Sequence, residues 1–554
     1  MGSTLAQTPN TSSLSTVSRT RPLTEKEALR WAHLDPIKDT IPGMSVDRAY
    51  KDLVKKRTGQ PVLVAIIDSG IDLAHEDLKE VLWKNAKEIA GDGIDNDKNG
   101  YLDDVHGYNF LGESYYEQLE FVRILAKNLG DPTLQKKAST LYEDQVTEAK
   151  SSVPQFQQIE QIIGTAHQNI QKRLGKESYT LTELEKYVPQ GEEEERAIWL
   201  LTQVLSAGQD IPAALAELKE GITYYQSRLD FNLNLEFDGR EPVGDNPYDI
   251  KDQTYGNGNP SNRKVEESHG THVAGILAAN RRNKKGVQGV AQSVQLMALR
   301  TVPDGDEYDK DVALAIRYAV DQGAKVINAS FGKKLSPNAS WVQEALQYAA
   351  SKDVLFVHAA GNDGVDLDAP ENSNFPNDQY SKLASPMNDN YLTVGALTPN
   401  YGSDMIASYS NYGKASVDIF APGDKIYSTL PSDSYGLEGG TSMAAPAVAG
   451  MAALIRSLYP QLTAVQVKRV ILDSGLSIPI QVRVGDQELT LEDLCTSGKI
   501  ANLYTALLLA DQVAGGNKGI RLSAIRSVIQ IEYSLLRIIS KHKGQMAVLK
   551  EKGS

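Results

Sequence analysis

The sequence predicts an α/β fold in which a doubly wound, mostly parallel central sheet is interrupted by an α-helical insertion. Continuous apolar runs that end near a glycine alternate with amphipathic helical patterns, as in sheets covered by helices on both faces. A long segment rich in Gln, Glu, Lys and Leu separates the first apolar run from the others. With 554 residues, the chain is long enough for more than one folded unit.

Five apolar runs are the candidate strands. The first is PVLVAIIDSG, which stops at Asp68. The others are residues 294–300, 325–332, 353–362 and 391–397. Helical patterns at 309–323 and 340–353 alternate with the later runs, which favours a parallel sheet. Because such sheets bind ligands at the carboxyl ends of their strands, we expect chemistry at Asp68 and Asn362.

Residues 111–239 are the predicted helical insertion, because apolar residues recur there at helical spacing on a charged background. The α/β domain is then discontinuous, over residues 35–110 and 240–513. Residues 1–34, rich in Ser, Thr and Pro, are expected to be flexible. Residues 514–554 combine apolar helical spacing with basic residues and predict a helical tail, which could pack on its own domain, form an oligomer contact or lie on a membrane.

Composition excludes several classes of function. The formal net charge of −14 disfavours a nucleic-acid partner, which usually needs a basic face. A single cysteine, Cys495, allows neither an intramolecular disulfide nor a cysteine-based zinc site. No apolar run reaches the ~18 residues that cross a bilayer, so we expect no transmembrane segment. The oligomeric state cannot be predicted from these features.

Three motifs carry candidate chemistry, and each has a structural alternative. The stretch SHGTHVAGI places His269 and His272 on one face of a predicted helix, as a metal pair, a core pair or one catalytic base. Ser442 follows two glycines in GGTSMAAPAVAGMAALI and opens a helical pattern. It could be a nucleophile beside backbone N–H groups or a simple N-cap. Asp68 could orient an imidazole or shape a turn.

Taken together, Asp68, SHGTHVAG and GTSMAAP resemble the three blocks of the subtilisin-like serine proteases, the subtilases, whose triad has the order Asp, His, Ser. The resemblance covers about residues 35–110 and 240–510. It implies that Ser442 is the nucleophile and that His269 is the general base and then the acid. Asp68 would orient the imidazole and stabilise the imidazolium.

The same resemblance implies an oxyanion hole and a peptide-binding strand. Asn362, in HAAGNDG, would donate its side-chain amide to the oxyanion beside the Ser442 N–H. VINASFG would bind the substrate backbone as an added strand. The predicted substrate-binding residues are Ser330, Gly332 and Gly361. The implied activity is that of a serine endopeptidase acting on proteins or peptides, and Ala447, which replaces a histidine usual in the family, lies at a packing position.

An acidic stretch, DGIDNDKNGYLDDV, predicts a calcium site. Positions 1, 3, 5 and 9 of a calcium loop are filled by Asp95, Asp97, Asn99 and Asp103. Gly100 stands at position 6, but His106 replaces the bidentate glutamate of position 12, so the loop is not a complete EF-hand. Asp104 could substitute, and a solvated acidic turn is the alternative.

By the family resemblance, Asp77 and Asn283 would form a second calcium site, although four basic residues crowd the loop NRRNKKGVQGV. GDNPYDIKD, residues 244–252, is a third and weaker candidate. Calcium in a structural role is therefore the expected cofactor.

Two other classes of protein compete with the protease interpretation. A catalytically silent, calcium-stabilised scaffold of the same fold is disfavoured because all four catalytic positions are filled. A zinc hydrolase built on His269 and His272 lacks further ligands at suitable spacing. The expected location is secreted, periplasmic or cell-envelope. The N-terminus has no hydrophobic signal core, so we expect the native targeting signal to be absent from this chain.

Overall fold

The protein is described by a computed structural model that covers residues 21–378 and 389–515. Within these ranges the chain divides into two compact units. The α/β unit comprises the residues up to Glu113, Pro242–Pro303 and the residues from Glu307 onward. The helical unit comprises Ser114–Glu241 together with the short segment Asp304–Asp306, whose membership the sequence did not predict.

A seven-stranded sheet lies at the centre of the α/β unit, and every neighbouring pair of its strands is parallel. This confirms the predicted fold class. The strand order is β2-β3-β1-β4-β5-β6-β7. The strands are β1 (Val62–Asp68), β2 (Gly107–Asn109), β3 (Val294–Arg300), β4 (Val326–Ala329), β5 (Leu355–Ala359), β6 (Tyr391–Leu397) and β7 (Ile419–Pro422). Four more strands form two hairpins: β8 (Ile426–Leu430) with β9 (Ser434–Glu438), and β10 (Val482–Val484) with β11 (Gln487–Leu489).

The direction of winding changes at β1, which has β3 on one side and β4 on the other. Open α/β sheets bind their ligands beside such a switch point, beyond the carboxyl ends of the strands. Asp68 is the last residue of β1, Ser330 directly follows β4, and Asn362 follows the end of β5. The topology therefore brings three of the predicted site residues to one edge of the sheet.

Helices cover both faces of the sheet. Alternate residues of β1 enter different cores, since Val64 and Ile66 belong to one and Ala65 and Ile67 to the other. The helices of this unit are α1 (Glu25–Ala28), α2 (Val46–Ala49), α8 (His269–Ala278), α9 (Asp309–Asp321), α10 (Ala339–Ser351), α11 (Thr441–Leu458), α12 (Ala464–Ser474), α13 (Leu491–Leu494) and α14 (Leu503–Val513). By length and composition α11 could cross a membrane, but 89% of it is buried inside the fold, as in a core helix.

The helical unit has a core of its own. Its helices are α3 (Glu120–Ala126), α4 (Pro132–Leu174), α5 (Leu181–Glu185), α6 (Glu192–Ser206) and α7 (Ile211–Ser227). The Asp131 side chain accepts a hydrogen bond from the amide of Leu134 and starts α4, and Gly175 ends it in the left-handed conformation. Apolar residues at helical spacing, such as Ile163 and Ile170, pack with Leu201 of α6.

Residues 25–34 differ from the expected flexible segment 1–34. They contain α1 and a 3₁₀ turn at Trp31–His33. Trp31 is 1% exposed, and its indole N–H lies 3.1 Å from the carbonyl oxygens of both Asp424 and Lys425. Composition did not predict this contact. Burial of one large apolar side chain, Trp31, can hold a segment in place even when most of its residues are polar. Residues 1–20 and the predicted tail beyond residue 515 lie outside the described residues.

Candidate active site

Asp68 and His269 come from distant parts of the chain and meet at the sheet edge. His269 is the first residue of α8, and its Nδ1 lies 2.6 Å from Asp68 Oδ1. Asp68 is 1% exposed, and the same oxygen accepts the Ser69 N–H at 2.8 Å. Burial alone lowers the pKa of His269, but the charge and hydrogen bond of Asp68, with a smaller contribution from Glu438, raise it to about 8. The carboxylate therefore fixes the ring so that its other nitrogen, Nε2, can take up a proton.

Ser442 is the second residue of α11, directly after Gly440 and Thr441. Its hydroxyl donates to the Ser330 carbonyl oxygen at 3.0 Å, and the Ser330 hydroxyl donates back to the Ser442 carbonyl at 2.8 Å. Among the described residues, no hydrogen bond joins Ser442 Oγ to His269. Such contacts are often long or absent without substrate and form in the Michaelis complex.

Asn362 has a fixed orientation. Its Oδ1 accepts hydrogen bonds from both the Thr441 N–H and the Thr441 hydroxyl, each at 2.9 Å. Only the other end of the amide, Nδ2, is left to donate. A Cβ placed on Gly440 would lie 3.4 Å from Nδ2 and 3.6 Å from the Ser442 nitrogen. The side-chain amide and the Ser442 N–H therefore border the same small space beside the Ser442 side chain.

The predicted substrate-binding residues lie along this edge, but their side chains differ in access. Ser330 is 2% exposed and holds Ser442, so its side chain is not free for a peptide. Gly361 has φ of 97° and donates its N–H to the Thr441 hydroxyl at 3.0 Å. A Cβ on Gly332 would meet Asn374 Oδ1 at 2.2 Å, so a larger residue there would require the Asn374 side chain to move. The proximity of Asn374 to Gly332 could not be predicted from the sequence, because Asn374 lies outside every motif.

His272 has a structural position, which disfavours the zinc-pair alternative. The ring is fully buried, and Nε2 lies 3.0 Å and 3.3 Å from the carbonyl oxygens of Ile426 and Gly436. Among the described residues, neither His269 nor His272 belongs to a group of three or more side chains that could hold a metal ion. Ala447 is 2% exposed and lines a cavity of about 390 Å³ together with Trp31, so its departure from the family pattern concerns packing.

The acidic loop brings together only part of the predicted calcium set. Glu88, Asp95 and Asp97 each offer a carboxylate oxygen within 4.8 Å of the others. Glu88 is 7% exposed, and its Oε2 is buried with no hydrogen-bond partner. A buried oxygen without a donor, beside two more carboxylates, suits a cation. Glu88 was missed because it precedes the loop that the spacing rule describes.

The other residues predicted in this loop have structural contacts. Asp103 accepts the N–H groups of Gly91 and Gly93 at 2.7 Å and 3.1 Å, so its carboxylate closes a turn instead of joining the cluster. Asn99 donates its side-chain amide to Asp104 at 2.7 Å. Asp104 is fully buried, and burial raises its pKa despite hydrogen bonds from Tyr318, Asn99 and Asn85. Asp103 therefore lies outside the acidic cluster, and the side-chain amide nitrogen of Asn99 is bound to Asp104.

The structure brings the predicted pair of Asp77 and Asn283 together. Asn283 donates its amide to Asp77 Oδ1. The Val287 N–H and the Tyr435 hydroxyl each donate to Asp77 Oδ2 at 3.0 Å. Protein groups thus contact both carboxylate oxygens of Asp77 in this structure. In the third candidate calcium site, residues 244–252, Asp245 binds the ammonium group of Lys310 at 2.6 Å, with both side chains fully buried.

Comparison with known proteins agrees with this geometry. The model of the Subtilase family matches residues 59–493. This chain belongs to the subtilase family. Among curated relatives of this subtilase are thermophilic serine proteinase from Bacillus sp. (strain AK1), thermitase from Thermoactinomyces vulgaris and subtilisin BL from Lederbergia lenta.

These relatives resemble only part of this subtilase. The Bacillus proteinase is 36% identical over 46% of this chain and 53% of its own length. Thermitase is 38% identical over 36% of this chain and 64% of its own. Subtilisin BL is 37% identical over 38% of this chain and 71% of its own. The alignments with the first two thus cover between half and two thirds of those proteins.

Proposed function

We propose that this subtilase is a serine endopeptidase that hydrolyses peptide bonds through an acyl-enzyme intermediate. The observation that carries the proposal is the 2.6 Å hydrogen bond between Asp68 and His269, at the same sheet edge as Ser442 and Asn362. Its substrates are proteins or peptides. Family membership supports the same conclusion.

In the acylation step, Ser442 turns from the Ser330 carbonyl towards Nε2 of His269. The ring takes the hydroxyl proton as Oγ forms a bond to the scissile carbonyl carbon. Asp68 stabilises the imidazolium that results. The ring then gives its proton to the departing amine, and a water molecule repeats the sequence to release the acid and restore Ser442.

The negative charge on the substrate oxygen is stabilised by Asn362 Nδ2 and the Ser442 N–H. Both donors are set in place before the reaction, because Thr441 holds the amide oxygen and α11 holds the backbone. Preorganised donors of this kind do not have to reorient as charge develops, which is why they favour the transition state over the substrate. Thr441 is therefore a positioning residue for Asn362.

Labelling of the nucleophile tests the proposed activity. We expect a fluorophosphonate probe to modify Ser442 and the folded protein to cleave casein. Ser442→Ala removes both, whereas Ser434→Ala, at an exposed serine just upstream, keeps both. A folded native chain that neither reacts with the probe nor cleaves casein would instead support the scaffold alternative.

The proposed calcium site consists of Glu88, Asp95 and Asp97, and its role is structural. A bound cation would neutralise three neighbouring carboxylates and supply the partner that Glu88 Oε2 lacks. At a free calcium concentration of about 100 times Kd, binding to the native state stabilises it by about 2.7 kcal/mol.

Unfolding experiments test this site without enzymatic turnover. In the Ser442→Ala background we expect calcium to raise the melting temperature relative to a chelator. Glu88→Gln should reduce that difference, and Asp77→Asn should leave it unchanged because Asp77 is bonded to protein donors. An equal calcium response in the Glu88→Gln and parent proteins would exclude Glu88 as a ligand.

Location outside the cytoplasm, whether secreted, periplasmic or in the cell envelope, is part of the same proposal. Its support is membership of the subtilase family. Fractionation of cells that produce the protein, followed by activity measurement in each fraction, tests it. Recovery of the activity in the cytoplasmic fraction alone would contradict the proposal.

A further inference from the structure

A second carboxylate lies beside the proposed catalytic histidine. Glu438 is the last residue of β9 and precedes Ser442 by only four positions. Its Oε1 accepts a hydrogen bond from the Ser268 hydroxyl at 3.2 Å, and Ser268 is the residue before His269. Its Oε2 lies 3.9 Å from Nδ1 of His272. The carboxylate therefore contacts the first turn of α8 on both sides of His269.

No cation compensates this carboxylate within the described chain. His272 is buried, which lowers its pKa, and the attraction of Glu438 does not offset the effect of burial. The ring is therefore neutral near pH 7, with its proton on Nε2, the atom that faces the two carbonyl oxygens. The buried acid directly before Ser268, Glu267, is neutralised by Arg300 at 2.6 Å, with both side chains buried.

The start of α8 also favours a negative charge at this position. The free N–H groups of a helix N-terminus carry partial positive charge and attract anions. Ser268 is the N-cap residue, but its hydroxyl makes no capping bond within the helix and donates to Glu438 instead. The Glu438 side chain is 26% exposed, so water screens its charge only in part.

We propose that Glu438 is a positioning residue for His269, which anchors the start of α8 through Ser268 and adds a second negative charge beside the imidazolium that forms during catalysis. The inference rests on the proposed protease activity. Asp68 and Glu438 then act on the ring from different elements, β1 and β9. Because β9 leads directly to Ser442, one side chain links the segment of the base to the segment of the nucleophile.

Three variants separate the charge of Glu438 from its hydrogen bond. Glu438→Gln keeps an acceptor for Ser268 but loses the charge, and Glu438→Asp keeps the charge. Glu266→Gln is the matched control, because Glu266 is an exposed acid three residues before His269. In Glu438→Gln we expect kcat/KM to lose roughly two- to fivefold at its plateau, the worth of one partly screened charge. We also expect its acid limb to move to lower pH, with no such shift in the other two proteins.

A titration without turnover makes the result independent of the proposed activity. In the Ser442→Ala background, the NMR signal of the His269 ring reports its protonation directly. We expect Glu438→Gln to lower the titration midpoint relative to Glu438→Asp and Glu266→Gln. An unchanged midpoint in a folded Glu438→Gln protein overturns the inference, whether or not the enzyme cleaves casein. If Glu438→Gln fails to fold, Glu438→Asp is compared with the parent protein: because it keeps the charge, a titration midpoint that falls in this variant would overturn the inference.

Discussion

Replacement of Asn362 tests the proposed oxyanion hole most directly. Asn362→Ala removes the Nδ2 donor but also leaves the Thr441 N–H without its acceptor. Asn362→Asp is the sharper perturbation, because a carboxylate keeps an acceptor at the Oδ1 position for both bonds from Thr441. It places a second oxygen, with negative charge, where Nδ2 borders the space next to Ser442.

The structure sets the size of the expected effect. One of two donors is lost, and the Ser442 N–H remains, so catalysis weakens without disappearing. Loss of one preorganised donor typically lowers kcat by about 10²–10³-fold, or about 2.7–4 kcal/mol of transition-state stabilisation. The bond strengthens as the oxyanion forms, so KM changes far less than kcat. Asn362→Asp should lose more than Asn362→Ala, because its carboxylate repels the oxyanion.

Steady-state cleavage of a chromogenic peptide gives kcat and KM for each variant, with Ser442→Ala as the inactive reference. Fluorophosphonate labelling and thermal unfolding show whether the variants keep a reactive serine and a folded core. A fall in kcat of less than tenfold in both Asn362 variants would refute the assignment of Nδ2 as an oxyanion donor. A rise in KM that accounts for the whole loss of kcat/KM would also refute this assignment.

Three further predictions concern pH and stability. Below pH 8, kcat/KM falls about tenfold per unit, because protonated His269 cannot accept the Ser442 proton; a flat profile down to pH 6 would contradict this. Trp31→Ala lowers the free energy of unfolding by about 3–5 kcal/mol in urea titrations, and Trp31→Phe by less. Lys310→Met leaves Asp245 charged and buried, and lowers the free energy of unfolding by about 3–5 kcal/mol. Adding Asp245→Asn to this variant partly restores that free energy.

The central fold was predictable because its signals are local. A buried parallel strand must be apolar throughout, so the runs at β1, β3 and β6 stand out from their surroundings. The strands β2 and β7 were not predicted, because three or four residues are too few to show a pattern. The pairing of β1 with both β3 and β4 depends on contacts between distant segments, which periodicity does not encode.

The candidate site likewise contains residues that the sequence predicts and residues that it does not. Asp68, His269, Ser442 and Asn362 belong to extended motifs and could be named from the sequence. Their supporting residues could not, because those act through space: Thr441 turns the Asn362 amide, and Glu438 reaches α8 from another element.

The calcium spacing rule found only part of the acidic cluster, for a related reason. A spacing rule assumes that the backbone follows one particular loop conformation. In this loop the carboxylate of Asp103 bonds to backbone N–H groups at Gly91 and Gly93. Glu88, from outside the spacing pattern, takes the position beside Asp95 and Asp97.

The acidic loop has a consequence for the lifetime of a protease. If the proposed calcium ion is withdrawn, Glu88, Asp95 and Asp97 would repel one another, and we expect the segment that holds them to open more often than the sheet behind it. An exposed, extended backbone is what an endopeptidase cuts, so the first self-digestion is expected between residues 88 and 104. The loop around Asp77, closed by protein donors, is expected to resist for longer. The calcium concentration around the protein would then determine how quickly its molecules digest one another.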